Sequence, residues 1–293
     1  IDGEAVGDQS GTSVSLSSDG SVVAIGAPYN AGVNGSNLGS VRLYKNIGGT
    51  WAQIGTDIDG EAAEDQSGFS VSLSSDGSVV AIGAPRNDGN GSDSGSVRLY
   101  KNTWGTWDKI GADIDGEAVG DQSGFSVSLS SDGSVVAIGA PYNNANSGNV
   151  RLYKNTGDSW VQVSFDFDGE EAEGQSGWSV SLSSDGSVVA IGAITNNGSG
   201  GGRVDSGHVR LYKNRGGNWF QIGFDIDGES ANDQSGRSVS LSSDGSVVAV
   251  GASYNNGNAS GSVRLYKNID NTWTQIGADI DGEAAGDESG YTV

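Results

Sequence analysis

The residue types best suited to chemistry sit in a recurring acidic segment, Asp-x-Asp-Gly-Glu with a further Asp four positions on. It occurs as Asp57, Asp59, Glu61 and Asp65, then as Asp113, Asp115, Glu117 and Asp121. It returns as Asp225, Asp227, Glu229 and Asp233, and again as Asp279, Asp281, Glu283 and Asp287. Closely spaced carboxylates beside a glycine that permits a sharp turn are the ligand type Ca²⁺ takes. The segment is therefore a candidate calcium site, and calcium is the one cofactor the sequence suggests. It is not an EF-hand, because the third acidic position and the terminal Glu at their required distances are missing. A further copy keeps Asp166, Asp168 and Glu170 but has Gly174 where the last Asp would stand. The competing reading is a solvated acidic loop whose Asp side chains cap turns.

Other candidates are weaker in chemistry. Asn-x-Ser triplets at Asn34, Asn90, Asn197 and Asn258 are glycan acceptors if the chain is secreted by a eukaryote. Loops built from Asn, Gly and Ser also produce such triplets by chance. Arg42 and Lys45 recur as Arg98/Lys101, Arg151/Lys154, Arg210/Lys213 and Arg264/Lys267. Ion pairing with the acidic segments of the same or the next repeat accounts for them; a track for anions does not suit so acidic a chain. His208 is the only histidine and takes a place usually held by Ser. No nucleophile stands beside it in sequence, so no hydrolase triad is indicated, and no catalytic residue is assigned. The chain is expected not to be an enzyme.

These residues hang on a fifteen-residue run, SVSLSSDGSVVAIGA, at 13–27. It returns unchanged at 70–84, 126–140 and 179–193, and at 238–252 with Val250 for Ile. Val14 and Leu16 alternate with serines, the period of a half-buried strand. Ser18-Asp19-Gly20-Ser21 is turn chemistry. Val22-Val23-Ala24-Ile25 suits a strand buried on both faces. The run predicts a hairpin. A variable loop follows, then a third strand over 40–46 and a fourth over 50–55, whose Trp51 recurs as Trp107, Trp160, Trp219 and Trp273. Packing between repeats explains these rings; aromatic platforms for sugars would need them exposed.

The whole chain, 1–293, reads as one repeat domain. Repeats span 1–57, 58–113, 114–166, 167–225 and 226–279, with a partial copy at 280–293. Four antiparallel strands in each repeat predict an all-β fold, a β-propeller of five four-stranded antiparallel blades. The alternative is an open superhelical β-repeat array. Residues 280–293 repeat the role of 1–14, and a five-blade ring has room for only one of the two. A frayed copy, a longer natural array, or donation of the spare end to a next molecule would each account for this. With no Met at all, Ile1 does not read as the natural start.

Composition narrows the partners. The formal charge of −22 and pI near 4.1 disfavour nucleic acid and anionic membranes. The absence of Cys excludes disulfides and thiolate chemistry. No apolar run is long enough to span a membrane.

The pattern GDQSGTSVSLSSDGSVVAIGAP resembles the FG-GAP repeats of integrin-type propellers, most of all their secreted bacterial and microalgal versions. Gly-Ala-Pro stands at Gly26-Ala27-Pro28, Gly83-Ala84-Pro85 and Gly139-Ala140-Pro141. Ser replaces the family's Phe in Phe-Gly, as in Ser67-Gly68, and Phe69, Phe125, Trp178 and Tyr291 are placed to take over its packing. The family's Asp-rich calcium loop inside the hairpin is reduced here to the tight SSDGS turn, so that site is not carried over. The resemblance implies an extracellular propeller used for adhesion or assembly. The expected function is a non-enzymatic extracellular structural or adhesive protein that self-associates through its ends into a fibre or surface layer. Glycans and cell-surface proteins are further candidate partners. The alternative is a lectin-like propeller with one site per blade.

Overall fold

The computed structural model describes residues 1–31, 37–157, 159–198, 202–255 and 259–293. In the first repeat, β1 (Ser13–Leu16) pairs antiparallel with β2 (Val22–Ala27), Ser13 facing Gly26 and Leu16 facing Val23. Asp19 shapes the turn between them. Its Oδ1 accepts from Ser17 Oγ at 2.7 Å and from the Ser21 N–H at 2.9 Å, while Ser17 Oγ accepts from the Val22 N–H. Gly20 supplies the positive φ (67°) that an L-residue would resist. The same hydroxyl-to-Asp bond recurs at Asp76, Asp132, Asp185 and Asp244.

β3 (Ser40–Ile47) pairs with the other edge of β2. The outer edge of β3 carries two short strands. β4 (Thr50–Gln53) covers its C-terminal half, and β5 (Ile58–Asp59) its N-terminal half, with Ser40 facing Asp59 and Val41 facing Ile58. The Ile54 N–H bridges the two by donating to the Leu43 carbonyl. Sequence reading places Ile58 and Asp59 in a polar connector. They form a strand because Ile58 has an apolar site to fill in the core beside Val41.

The pattern returns in the hairpins Ser70–Leu73/Val79–Ala84, Ser126–Leu129/Val135–Ala140, Ser176–Leu182/Val188–Ala193 and Ser238–Leu241/Val247–Ala252. Five sheets of four or more strands result among the described residues, each an antiparallel meander. Asn143–Asn146, in the variable loop of the third repeat, forms a turn in which Asn144, Ala145 and Asn146 carry positive φ (48°, 55° and 60°). The expected fold class, five four-stranded antiparallel blades, matches what is observed.

The chain divides into two compact units, Ile1–Ile138 with Tyr153–Gln162, and Gly139–Leu152 with Val163–Val293. Within the first unit, Val22, Ala24, Val41, Leu43 and Ile58 of one sheet pack on Val71, Leu73, Val80 and Ile82 of the next. Val79, Ala81, Val97, Leu99 and Ile114 repeat that face against Leu129, Val136 and Ile138. Within the second unit, Val188, Ala190, Val209, Leu211 and Ile226 meet Val239, Val248 and Val250. Every sheet therefore offers two different apolar faces: one built on Val-x-Ala of the second strand, the other on Val-x-Leu of the first.

Polar contacts register the layers. Ser13 Oγ donates to the Gly68 carbonyl at 2.7 Å, and Ser70, Ser179 and Ser238 do the same to Gly124, Gly236 and Gly290. Ser15, Ser72 and Ser181 Oγ accept from the backbone N–H of Leu73, Leu129 and Leu241 in the following repeat. The serines that alternate with Val and Leu are thus bonded across layers rather than solvated. The backbones also approach closely: a Cβ on Gly83 would lie 2.1 Å from the Gly124 oxygen and 2.3 Å from Ser70 Oγ.

Two outcomes follow. Gly83→Ala should lose about 3 kcal/mol in denaturant unfolding, because the obstacle is backbone. Gly48→Ala has no atom within 4 Å of the new Cβ and should cost only the positive-φ strain of about 1 kcal/mol. Acid should also loosen the turns. Hydrogen bonds from the Ser21 N–H and Ser17 hydroxyl hold Asp19 down at about 2, and those from Ser242 and Ser246 do so for Asp244. A depressed folded-state pKa means the stabilisation is present above the unfolded value near 3.9 and is lost as pH falls towards 2. A double Asp19→Asn, Asp244→Asn variant should therefore show a shallower fall in melting temperature between about pH 4 and pH 2 than the parent chain.

Candidate functional site

The recurrent arginine is the centre around which the acidic connectors are arranged. Arg98 is buried, and one of its Nη2 hydrogen bonds reaches the Asp59 carbonyl at 2.9 Å, another Ser67 Oγ at 3.0 Å. Its Nη1 lies 3.9 Å from Glu61. Arg42 with Asp2 and Glu4, Arg210 with Asp168 and Glu170, and Arg264 with Asp227 and Glu229 repeat the arrangement. Each guanidinium also lies within 6 Å of the ring of the tyrosine two residues on, as Arg98 does over Tyr100. The ion pairing expected of the basic strand is formed by the arginines Arg42, Arg98, Arg210 and Arg264.

The connector carboxylates do not converge as a calcium set would. In the first complete connector, Asp57 accepts from Gln53 Nε2 at 2.6 Å, and Glu61 faces Arg98 and Lys109. Asp65 is buried; its Oδ2 accepts from the Ala62 N–H and from Asn87 Nδ2. Burial, then the neighbouring Asp57 charge, raises the Asp59 carboxyl above the usual range. In the next copies Asp113 pairs with Lys109, Asp121 caps the Ala118 N–H, and Asp233 caps Ser230. Gln275 donates to Asp279 and the Ala284 N–H to Asp287. The final Asp is therefore a turn cap at Asp65, Asp121, Asp233 and Asp287, and Glu61, Glu170 and Glu229 are arginine partners.

Of the glycan acceptors, Asn34 and Asn258 lie outside the described residues. Asn90 Nδ2 donates to the Gly116 and Glu117 carbonyls, and Asn197 Nδ2 to Glu171. Both amide nitrogens would have to leave these partners to be modified.

The recurring tryptophans serve packing. The indole N–H of Trp107, Trp160, Trp219 and Trp273 donates to the carbonyl of Ile54, Ile110, Val163 and Ile222 respectively, each in the preceding repeat. The residues after Ser-Gly also pack: the Phe69 and Phe125 rings meet at a 46° tilt with centroids 4.9 Å apart, and Arg237 lies 4.1 Å from the Tyr291 centroid. Clefts open beside the tryptophans. In the first unit a cleft of about 450 Å³ is lined by Asp57, Asp59, Tyr100 and Trp107. In the second a smaller one of about 200 Å³ is lined by Asp225, Asp227, Tyr266 and Trp273.

The fourth repeat departs from the others. His208 is 1% exposed at the start of its strand, His208–Arg215, and its Nδ1 lies 3.8 Å from Asp225 Oδ2. Burial, and next the Arg210 charge, lower its pKa to about 3, so it is a neutral imidazole at physiological pH. Glu170 stands beside both, and burial raises its carboxyl and that of Asp225. The sequence shows the histidine as a break in the repeat but gives no sign of these neighbours.

A profile of the FG-GAP repeat family matches residues 56–100. A search among curated proteins finds no match. Among solved structures, similar folds include a protein from Bacteroides uniformis described as a 6-phosphogluconolactonase, at 14% identity and a TM-score of 0.62. That match covers 91% of this chain and 71% of the other. Hydrazine synthase of Kuenenia stuttgartiensis matches at 12% identity and 0.56, over 87% of this chain and 64% of that one. TolB from Acinetobacter baumannii matches at 16% and 0.52, over 93% and 54%. At these identities the likeness is one of fold alone, and the fold is of the β-propeller class. The profile match spans the second hairpin, whose sequence the other repeats share, so the likeness to the FG-GAP repeat shown at 56–100 extends by internal repetition.

Proposed function

We propose that this is a non-enzymatic, extracellular structural protein whose copies join head to tail through the faces of its first and last sheets. One observation carries the reading. Val14 and Leu16 on the first sheet are 63% and 59% exposed, while Val71 and Leu73 in the same places of the second repeat are 9% and 7%. On the last sheet Val247, Ala249, Val263 and Leu265 are only half-buried, and Ile280 is 55% exposed against 6% for Ile58. The first sheet thus leaves open its Val-x-Leu face, and the last leaves open its Val-x-Ala face. These are the two surfaces that pack together in the layers within each unit, so one copy's last face is complementary to another's first. Such a heterologous contact builds rings or filaments.

FG-GAP repeats are typical of extracellular proteins, and among the described residues no helix is long and apolar enough to cross a membrane. The charge of −22 opposes association of copies at low ionic strength. Calcium is not required by this reading; it would have to displace the arginine, lysine and backbone partners the connectors already have. A second reading, glycan binding, draws on the clefts that pair Asp57 with Trp107 and Asp225 with Trp273. A glycan-array signal lost in Trp107→Ala and Trp273→Ala would favour it.

Sedimentation velocity should show oligomers growing with protein concentration and with salt, and electron microscopy should show strings of subunits. Leu16→Lys and Ile280→Lys should each be monomeric alone, yet form dimers when mixed, since each keeps the face the other lacks. A parent chain that stays monomeric at about 100 µM in 0.5 M salt, where screening is short-ranged, would overturn the proposal.

A further inference from the structure

We propose that Glu170, His208 and Asp225 form a binding site for one divalent first-row transition ion, of the kind Zn²⁺ represents. One ligand atom from each of the three lies within 4.8 Å of the other two. His208 is almost fully buried, and its Nδ1 has no hydrogen-bond partner. A buried nitrogen left unpaired is destabilising and calls for a reason. This one lies 3.8 Å from a carboxylate oxygen.

The second repeat shows what the place is made for. There Glu61 and Asp113 hold the positions of Glu170 and Asp225, and the Lys109 ammonium lies 3.8 Å from Glu61 and pairs with Asp113. In the fourth repeat Gln221 stands where Lys109 stands and donates to Asp225 Oδ1 at 2.6 Å. The two carboxylates therefore lack the ammonium that bridges their counterparts. Gln53 and Gln275 take the same place in the first and last repeats, but there Ser40 and Ser262 stand where His208 does. The fourth repeat is where removal of the lysine and addition of an imidazole coincide.

The donor set selects the ion. One imidazole nitrogen and two carboxylate oxygens suit zinc and its neighbours, whereas Ca²⁺ and Mg²⁺ take oxygen ligands alone. Bonds of about 2.0–2.2 Å would draw the three side chains together by about an ångström or less. The half-exposed Glu170 side chain gives a route from solvent and room for a water as fourth ligand. Arg210 Nη1, 3.5 Å from Glu170 Oε1, neutralises part of the carboxylate charge and moderates the affinity.

The test uses the untagged full chain, stripped with a chelator and titrated with Zn²⁺ by calorimetry and with Co²⁺ by visible absorption. One ion per chain is expected, with affinity at least tenfold weaker in His208→Ser, the residue three other repeats carry, and in Asp225→Asn. Glu61→Gln should leave it unchanged. Because His208 is the only histidine, its ring nitrogen resonances report on the site alone and should shift at one equivalent of Zn²⁺. No binding below millimolar Zn²⁺ would overturn the proposal. So would binding that leaves the imidazole resonances unmoved, since that would place the ion on surface carboxylates.

Discussion

The structure depends on how closely one repeat's backbone lies against the next. A Cβ on Gly26 would stand 2.0 Å from the Gly68 oxygen, and Gly192 and Gly251 meet Gly236 and Gly290 at 2.1 Å. Only glycine allows that separation. Once the backbones are that close, a serine hydroxyl spans the gap to the carbonyl, as Ser13 does to Gly68. The neighbouring serine then accepts a backbone N–H from the next repeat, as Ser15 does from Leu73. Apolar residues between these links need fill only a thin layer, so Val, Ala and Leu suffice. A hydrophobic fraction of 34% is enough for such a stack because each layer is shared by two sheets.

The second constraint is electrostatic. A chain this acidic must place its few cations where they count. The buried arginines Arg42, Arg98, Arg210 and Arg264 of the third strands join a connector carbonyl and Glu to the sheet, each near a tyrosine ring. Guanidinium suits this role because its planar fork can bond a carbonyl, a hydroxyl and a carboxylate at once. The connectors are acidic partly for this reason: Glu4, Glu61, Glu170 and Glu229 answer the arginines, and Asp65, Asp121, Asp233 and Asp287 cap turns.

Much of the fold is legible in the sequence because local and global preferences agree. Alternation of Val and Leu with Ser, the Asp-Gly turn, and the β-branched run each specify the strand they form. The two-residue strand Ile58–Asp59 is not legible, since no period can be read from two residues and its pairing with Ser40 and Val41 is tertiary. The partners of the connector side chains are not legible either: spacing along the chain says nothing of where each side chain turns, and Asp57, Glu61 and Asp65 turn to Gln53, Arg98 and Ala62. His208 was visible only as a departure from the repeat. Its neighbours Glu170 and Asp225 come from the connectors before and after it, and only the meander brings them together.

Near-identity of repeats also shapes what the chain can do. When a hairpin is copied without change, each copy performs the same scaffold role, and specific chemistry has to reside where copies differ. That argument directs attention to the fourth repeat rather than to the conserved-looking turn, whose Asp and Gly are fully used in closing it. The same logic governs the outer faces. Stacked-repeat proteins that stay monomeric carry terminal repeats with a polar outer surface. Here the first sheet presents the same Val-x-Leu as the interior ones, and the last presents the same Val-x-Ala. The proposed association of copies through these faces would reuse the repeat's own interface, and would need no contact that the fold has not already made.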